Sequence, residues 1–322
     1  MPAPPSRFRV LVPGGDGFVG RYLVQALGAA LPAGSDILVG TLADAAAEPG
    51  AVRRVALDIT DAERVRAVLA EERPTHVFHL AAIAAIQTAQ HDEQQTWAVN
   101  CSGAMNVAAA IGDALPACRL LFCSSAQIYG RSFRDGKPLD ENAPVDPIDA
   151  YGASKAEADL KIGHMATRGL RAIRLRPFNH TGAGQGRGFV APDFAAQIAA
   201  IERGVQEPVI RVGNLENRRD LMDVRDVVAA YVRAVLRFDD LPNGCAINVA
   251  SGKAISAGDI LNALLALSSA TIEVKSDPAL MRRSDIPVIR GDAGRARELL
   301  DWVPEIPVET TLKSVLDDYR SR

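Results

Sequence analysis

A tyrosine and a lysine stand four residues apart in the stretch YGASK, residues 151–155. On a helix, that spacing places Tyr151 and Lys155 on the same face. A free phenol has a pKa of about 10, and a nearby ammonium lowers that pKa by stabilising the phenolate. The pair therefore suits acid/base chemistry at an oxygen atom. Alone, it is more typical of a solvated helix surface, so its meaning depends on the motifs around it.

Two hydroxyl groups follow a predicted strand in the middle of the chain. The run RLLFC, residues 119–123, is apolar and short, and Ser124 and Ser125 come directly after it. In an open parallel sheet the carboxyl ends of the strands face the ligand crevice. We therefore expect these hydroxyls to point at a bound ligand.

Three glycines near the start of the chain follow one another at intervals of three. Gly14, Gly17 and Gly20 come after the apolar run at residues 10–12, and from Phe18 onward apolar residues recur at helical spacing. Gly14 permits a tight turn, Gly17 lets the backbone approach a pyrophosphate, and Gly20 lets helix and strand pack closely. Phosphates would then lie over the free N–H groups of the helix. Strand, glycine turn and helix together favour dinucleotide binding over an ordinary glycine-containing loop.

The remaining elements of the first half repeat this strand–helix alternation. Apolar strands are predicted at 36–41, 52–57 and 76–80, and Thr60 with Glu63 predicts a capping box at the start of a helix. A long helix is predicted over residues 97–111. The expected fold is α/β, a Rossmann-type doubly wound parallel sheet with a smaller C-terminal lobe that binds the substrate. We expect residues 1–176, with 209–250 interleaved, to bind the cofactor and residues 177–322 to form most of the substrate-binding lobe.

The end of the second predicted strand bears on the choice between NAD and NADP. In NAD-binding folds of this kind, an acid about 20 residues past the glycines takes the adenosine ribose hydroxyls. Gly40, Thr41 and Leu42 occupy that place here. No carboxylate stands there to repel a 2′-phosphate, and no arginine stands there to hold one. The sequence thus leaves the preference between NAD and NADP open.

Composition excludes several classes of partner. The 322 residues carry a formal net charge of −3, and 48% of them are hydrophobic, so neither nucleic acid nor an anionic membrane is expected. The N-terminal stretch lacks an apolar signal core, which predicts a cytoplasmic protein. The four scattered cysteines lack the close pairs of a zinc site, so no metal is expected.

Four segments together resemble the extended short-chain dehydrogenase/reductase superfamily in order and spacing. They are GGDGFVG at 14–20, HLAA at 79–82, CSSAQIYG at 123–130 and YGASK at 151–155. The resemblance implies that Ser125 binds the substrate carbonyl or hydroxyl and that Tyr151 and Lys155 do the acid/base work. Asp58, after the third strand, is placed to meet the adenine edge and is equally typical of a turn. The implied cofactor-binding residues are Gly14, Gly17, Phe18, Val19, Asp58, Ile59, Leu80, Ala81, Ala82, Asn100, Tyr151 and Lys155.

Segments of the second half resemble the branch of that superfamily that acts on nucleotide-diphosphosugars. They are residues 174–204, 212–231, 281–285 and 301–312. The likeness is strongest to the GDP-4-keto-6-deoxy-D-mannose reductases and to the related GDP-mannose 4,6-dehydratases. It implies that Asn179, Arg219 and Arg282 hold the diphosphate and that Phe189, Val190 and Phe194 pack near the guanine. Solvated surface charge is the alternative for the arginines. The resemblance also implies a homodimer that pairs the helices near 97–111 and 151–168.

One position separates the activities of that branch. The dehydratases carry a glutamate two residues before the tyrosine of the "YG" pair, and this chain has Gln127 there. An amide cannot act as a general base, which disfavours dehydration. The leading hypothesis is an NAD(P)H-dependent 4-ketoreductase of a GDP-4-keto-6-deoxyhexose that forms GDP-D-rhamnose or its C4 epimer, with Gln127 among the substrate-binding residues. The alternatives are an NAD-dependent nucleotide-sugar 4-epimerase and, less favoured, a 4,6-dehydratase or a non-catalytic cofactor-binding module.

Overall fold

Short apolar runs separated by turns form the strands, and amphipathic segments between them form the helices. The structure, a computed structural model, describes residues 7–42, 52–281 and 286–322. The strands are β1 (Arg9–Pro13), β2 (Asp36–Thr41), β3 (Val52–Ala56), β4 (His76–His79), β5 (Arg119–Cys123), β6 (Ala172–Pro177), β7 (Asn179–Thr181), β8 (Val209–Val212), β9 (Arg218–Asp223), β10 (Ala246–Val249), β11 (Ala254–Ser256), β12 (Glu273–Ser276) and β13 (Val288–Ile289). The helices are α1 (Phe18–Ala30), α2 (Ala62–Glu72), α3 (Ile86–His91), α4 (Glu93–Trp97), α5 (Ala104–Ala114), α6 (Ala150–Thr167), α7 (Val190–Glu202), α8 (Val224–Leu236), α9 (Ala257–Ala266), α10 (Gly294–Leu300) and α11 (Val308–Ser321).

Seven strands form one parallel sheet in the order β10-β6-β5-β4-β1-β2-β3. The register of β1 is fixed by Val10 opposite Ile37 of β2 and opposite His76 of β4. The strand order reverses between β1 and β4. In sheets of this kind the ligand binds at that point, in the crevice beyond the carboxyl ends of the strands.

Helices cover both faces of this sheet, as predicted for a doubly wound fold. On one face α1, α8 and α10 bury a core that includes Leu23, Val228 and Leu300. On the other face α2, α5 and α6 bury a second core that includes Val68, Ile111 and Ile162. Burial on both sides explains why the central strands are almost wholly apolar.

The C-terminal half builds a separate cluster around three helices. Side chains of α7, α9 and α11, among them Ile198, Leu264 and Leu316, share this third core. Two small sheets accompany it: β11, β9 and β13 with β7 paired to β9, and β12 with β8. Strand β10 returns from this half of the chain to the edge of the main sheet.

Two local predictions need correction. The helix α2 is capped by Asp61, whose carboxylate accepts from the backbone N–H groups of Glu63 and Arg64, so the predicted Thr60–Glu63 capping box is wrong. Thr60 instead donates its hydroxyl to Asp58 at 2.7 Å. The long helix predicted over 97–111 is helical from α4 through α5, with a π-helical segment at Ala98–Gly103 between them.

Within the described ranges, no helix is long and apolar enough to cross a membrane.

Candidate active site

The glycine turn packs tightly against the protein's own backbone. Gly14 has φ +79°, and a Cβ there would lie 2.8 Å from the backbone of Ala81. A Cβ at Gly20 would lie 2.4 Å from the carbonyl oxygen of Gly14, so both positions require glycine. Gly17 precedes α1 without any side-chain cap, and the first turn of α1 has no acidic residue. The first N–H groups of α1 are therefore suited to a phosphate.

Leu80, Ala81 and Ala82 follow β4 and lie beside this turn. The Leu80 N–H donates to the carbonyl of Pro13 at 3.0 Å, which fixes the loop against the end of β1. All three residues are half-buried, as are Phe18 and Val19 at the start of α1. The small alanine side chains suit the close approach of a cofactor at the point where the strand order reverses.

Asn100 lies in the π-helical segment and is fully buried. Its Oδ1 accepts from the Ile83 N–H at 2.8 Å, and its Nδ2 donates to the Ile83 carbonyl at 3.1 Å and to the Ser154 Oγ at 3.1 Å. Asn100 thus ties the loop after β4 to α6 at the residue next to Lys155. These contacts give Asn100 a positioning role; direct contact with a cofactor stays a prediction.

Ser125 and Tyr151 meet at the carboxyl end of β5. Ser125 is buried, and its Oγ accepts from the Gln127 N–H at 3.1 Å. Tyr151 stands in the first turn of α6, where Asp149 caps the helix by accepting from the Gly152 N–H at 2.7 Å. Burial raises the pKa of Tyr151 above its ordinary value, while the neighbouring Ser125 side chain acts in the opposite direction.

Lys155 is buried one turn further along α6. Its ammonium donates to the carbonyl of Cys123 and lies 4.4 Å from the centroid of the Phe122 ring. Burial lowers the pKa of Lys155. The expected lowering of the Tyr151 pKa is therefore not present in this arrangement, because burial dominates. That effect stays a prediction for the enzyme with an oxidised, positively charged nicotinamide bound.

A buried cluster of ion pairs, which was not predicted from the sequence, joins α6 to β6. Asp159, four residues after Lys155, accepts from Arg174 at 2.6 Å and from Arg176 at 2.8 Å. These arginines lower the pKa of Asp159 against the effect of its burial. Arg176 also donates to the Tyr129 hydroxyl at 2.9 Å. The four-residue spacing between Lys155 and Asp159 is the sequence signal that could have indicated this cluster. The cluster anchors the helix that carries Tyr151 and Lys155.

A second missed residue, Asp16, lies in the glycine turn. The Thr41 hydroxyl at the end of β2 donates to Asp16 Oδ2 at 2.8 Å. Asp16 is exposed, whereas Thr41 is buried. A carboxylate is therefore present beside the end of β2, although the strand itself supplies none.

The two residues expected at the adenine edge differ in exposure. Asp58 is exposed, and its Oδ1 accepts from the Thr60 N–H at 2.8 Å, the geometry of a turn aspartate. The Ile59 side chain is buried and packs closely on Gly103. Both roles at the adenine stay predictions.

The residues expected to hold the nucleotide-sugar lie at the C-terminal lobe. Asn179 on β7 is exposed and pairs with Leu221 of β9. Arg219 on β9 is half-buried, donates to the carbonyls of Arg218 and Pro287, and has its pKa lowered by burial. Phe189 and Val190, at the start of α7, are 37% and 48% exposed. Phe194, one turn further on, is buried among the residues of the third core, and Arg282 lies outside the described residues.

This open parallel sheet, with a glycine turn at α1 and a Ser125–Tyr151–Lys155 set beyond β5, defines a dinucleotide-dependent enzyme of the α/β class. Residues 10–250 match the model of the NAD dependent epimerase/dehydratase family. The chain belongs to that family and is an NAD(P)-dependent enzyme of the extended short-chain dehydrogenase/reductase type.

Individual relatives support the same grouping. The chain is 32% identical over 252 residues to the GDP-6-deoxy-D-mannose reductase of Pseudomonas aeruginosa, and the match covers 78% of this chain and 82% of that protein. It is 26% identical over 317 residues to the GDP-6-deoxy-D-talose 4-dehydrogenase of Aggregatibacter actinomycetemcomitans, and that match covers 98% of each.

Two solved structures show the fold with a cofactor bound. RMD from Pseudomonas aeruginosa, complexed with NADPH, has a TM-score of 0.84 and 28% identity over 98% of this chain and 99% of that one. The UDP-glucose 4-epimerase of Thermus thermophilus, in complex with NAD, has a TM-score of 0.82 and 26% identity over 97% of this chain and 99% of that one.

Proposed function

We propose that this enzyme reduces the C4 ketone of a GDP-4-keto-6-deoxyhexose with NAD(P)H. The observation that carries the proposal is that Ser125 and Tyr151 are neighbours at the end of β5, with Gln127 on the adjoining turn. A hydroxyl and a phenol side by side suit one oxygen atom that must be held and then protonated. The named activities of the reductase and 4-dehydrogenase relatives support a redox change at C4.

The chain's own residues supply everything except the hydride. When bound, NAD(P)H would supply the hydride for the C4 carbon and would be oxidised as the ketone becomes a secondary alcohol. Ser125 donates a hydrogen bond to the C4 oxygen, and Tyr151 gives that oxygen its proton. The raised pKa of Tyr151 keeps the phenol protonated at neutral pH, which is the form that a reduction requires. Lys155, fixed on the Cys123 carbonyl, places a positive charge beneath the site.

Gln127 favours reduction over dehydration. Its backbone N–H holds Ser125, and its side chain is half-buried at the position where the dehydratases carry glutamate. An amide can hydrogen-bond a sugar hydroxyl but cannot take the C5 proton. We therefore assign Gln127 to substrate binding.

The C-terminal lobe supports a nucleotide-diphosphate substrate. The half-buried Arg219 guanidinium and the exposed Asn179 amide offer donors suited to phosphate oxygens. Phe189 and Val190 expose apolar surface on which a guanine could pack. In this assignment residues 1–176 and 209–250 bind the cofactor, and the remainder of 177–322 binds the sugar nucleotide.

The direct test follows the reduced-nicotinamide absorbance when the enzyme meets GDP-4-keto-6-deoxymannose. We expect one cofactor oxidised per sugar, and nuclear magnetic resonance of the product distinguishes GDP-D-rhamnose from its C4 epimer. No oxidation with either NADH or NADPH would contradict the proposal.

The second candidate is a nucleotide-sugar 4-epimerase, which the likeness to a UDP-glucose 4-epimerase structure favours. An epimerase would retain NAD through purification and interconvert sugar nucleotides without net consumption of cofactor. Cofactor content of the purified protein, measured beside the absorbance assay, separates the two activities.

A further inference from the structure

In this fold the carboxyl end of β2 distinguishes NAD from NADP. In this chain Gly40 and Thr41 stand at that strand end. An acid at that place accepts from the ribose 2′-hydroxyl, whereas an arginine nearby accommodates a 2′-phosphate. Neither is present on the strand. The glycine turn supplies the missing group, because it lies directly beside this strand end.

Two hydrogen bonds fix the glycine turn to β2. The Gly14 N–H donates to the Gly40 carbonyl at 3.0 Å, and the Thr41 hydroxyl donates to Asp16 Oδ2 at 2.8 Å. Thr41 is buried and so gives Asp16 a rigid anchor, while the Asp16 side chain is itself exposed. The carboxylate is thereby held beside the end of β2.

Two cations near this place, Arg21 and Arg53, are engaged elsewhere, and Arg54 of β3 lies opposite Val39 of β2. Residues 42–52 contain no lysine or arginine. Arg53, the next cation along the chain, pairs with Glu72 at 2.5 Å. Arg21 on α1 donates to the Gly184 carbonyl at 3.2 Å, towards the C-terminal half of the chain.

We propose that Asp16 selects the cofactor by its adenosine ribose and makes this enzyme prefer NADH to NADPH. The carboxylate accepts from a ribose hydroxyl and repels a 2′-phosphate, which carries a charge of about −1.5 to −2 at pH 7. This inference rests on NAD(P) binding by the chain and is independent of which sugar nucleotide is reduced. It differs from the NADPH found in the Pseudomonas aeruginosa structure.

Calorimetric dissociation constants for NADH and NADPH, measured without any sugar nucleotide, test the inference. We expect the unmodified protein to bind NADH at least about tenfold more tightly than NADPH, because like charges a few ångströms apart repel strongly at a partly desolvated site. Asp16→Asn removes the charge but keeps the shape of the side chain. It should reduce the ratio of the two dissociation constants about tenfold, mainly by tightening the binding of NADPH. Asp16→Ser is the second variant and should act in the same direction.

Asp113→Asn is the matched control, because it removes an exposed carboxylate near the end of α5 that is not among the residues expected to bind the cofactor. It should leave the NADH/NADPH ratio unchanged. Comparing the binding of AMP with that of adenosine 2′,5′-bisphosphate repeats the test on the adenosine half of the cofactor alone. Equal or tighter binding of NADPH by the unmodified protein would overturn the inference, as would an unchanged ratio in both Asp16 variants or the same shift in Asp113→Asn. Failure of the ketoreductase assay leaves all of these readouts intact.

Discussion

The proton that completes a ketone reduction comes from one residue in the proposed mechanism. Tyr151 lies beside Ser125, half-buried at the end of β5, whereas Lys155 is fixed on the Cys123 carbonyl. Tyr151→Phe keeps the ring and removes the hydroxyl. We expect it to lower kcat by about 10²–10⁴-fold, the range for loss of a positioned acid. The NAD(P)H dissociation constant should stay within about twofold, since the backbone of the glycine turn is untouched, and full activity would contradict the role.

The direction of the Tyr151 pKa shift predicts a pH profile. Burial raises this pKa above its ordinary value of about 10, so the phenol stays protonated through the neutral range in the folded enzyme. With NADH saturating, kcat/KM for the keto sugar should therefore stay level from about pH 6 to pH 9. The reverse oxidation needs the phenolate and should rise with pH across the same interval. A loss of reductive kcat/KM centred between about pH 6 and pH 8 would show that Lys155 lowers the pKa more than burial raises it.

The sequence predicts chemical groups better than it predicts their surroundings. Ser125, Tyr151 and Lys155 can be predicted as catalytic candidates because motif and strand position are local properties. Asp16 was missed as a ribose-binding candidate because its anchor, Thr41, lies 25 residues away and is brought to it only by the pairing of β1 with β2.

The helix α6 delivers Tyr151 and Lys155, and its position depends on a buried charge. Asp159 is fully buried between Arg174 and Arg176. Asp159→Asn would leave two arginines without their counter-charge, and we expect a loss of about 3–5 kcal/mol in the free energy of unfolding. Chemical denaturation measures this loss in the free energy of unfolding.

A surface ion pair provides the matched control for that substitution. Asp146 pairs with Arg131 at 2.5 Å, with the two side chains 45% and 47% exposed. Asp146→Asn should cost less than about 1 kcal/mol, because solvent screens exposed pairs. Equal losses from the two variants would show that the cluster joining α6 to β6 contributes no more than surface charge.

At the scale of elements, strands were easier to predict than helix ends. The residues of β2 and β5 match the predicted spans, because a buried apolar run is readable from composition alone. The cap of α2 was wrongly assigned to Thr60, since both Thr60 and Asp61 suit the position and only the turn at Asp58 decides between them. The π-helical segment has no signature in a single sequence.

At the scale of the molecule, one exposed apolar face supports a homodimer. Met105 of α5 and Leu160 and Met165 of α6 line a shallow depression, here called the α5–α6 face, and Leu160 is 55% exposed. We propose that a second copy covers this face. Helices that pack their apolar residues across a two-fold axis bury about 800 Å² per partner in a standard interface.

A single charge on the α5–α6 face should separate the proposed dimer. Leu160→Asp would place a carboxylate on this face, which Lys161 and His164 also line, and we expect sedimentation velocity to change from dimer to monomer while the circular dichroism spectrum stays the same. Val205→Asp is the matched control, because Val205 is 73% exposed in the turn after α7 and far along the chain from this face. It should remain dimeric.

Since α6 also carries Tyr151 and Lys155, the Leu160→Asp monomer should lose some activity if pairing of the helices steadies the site. A monomeric unmodified protein at assay concentration would contradict the proposal.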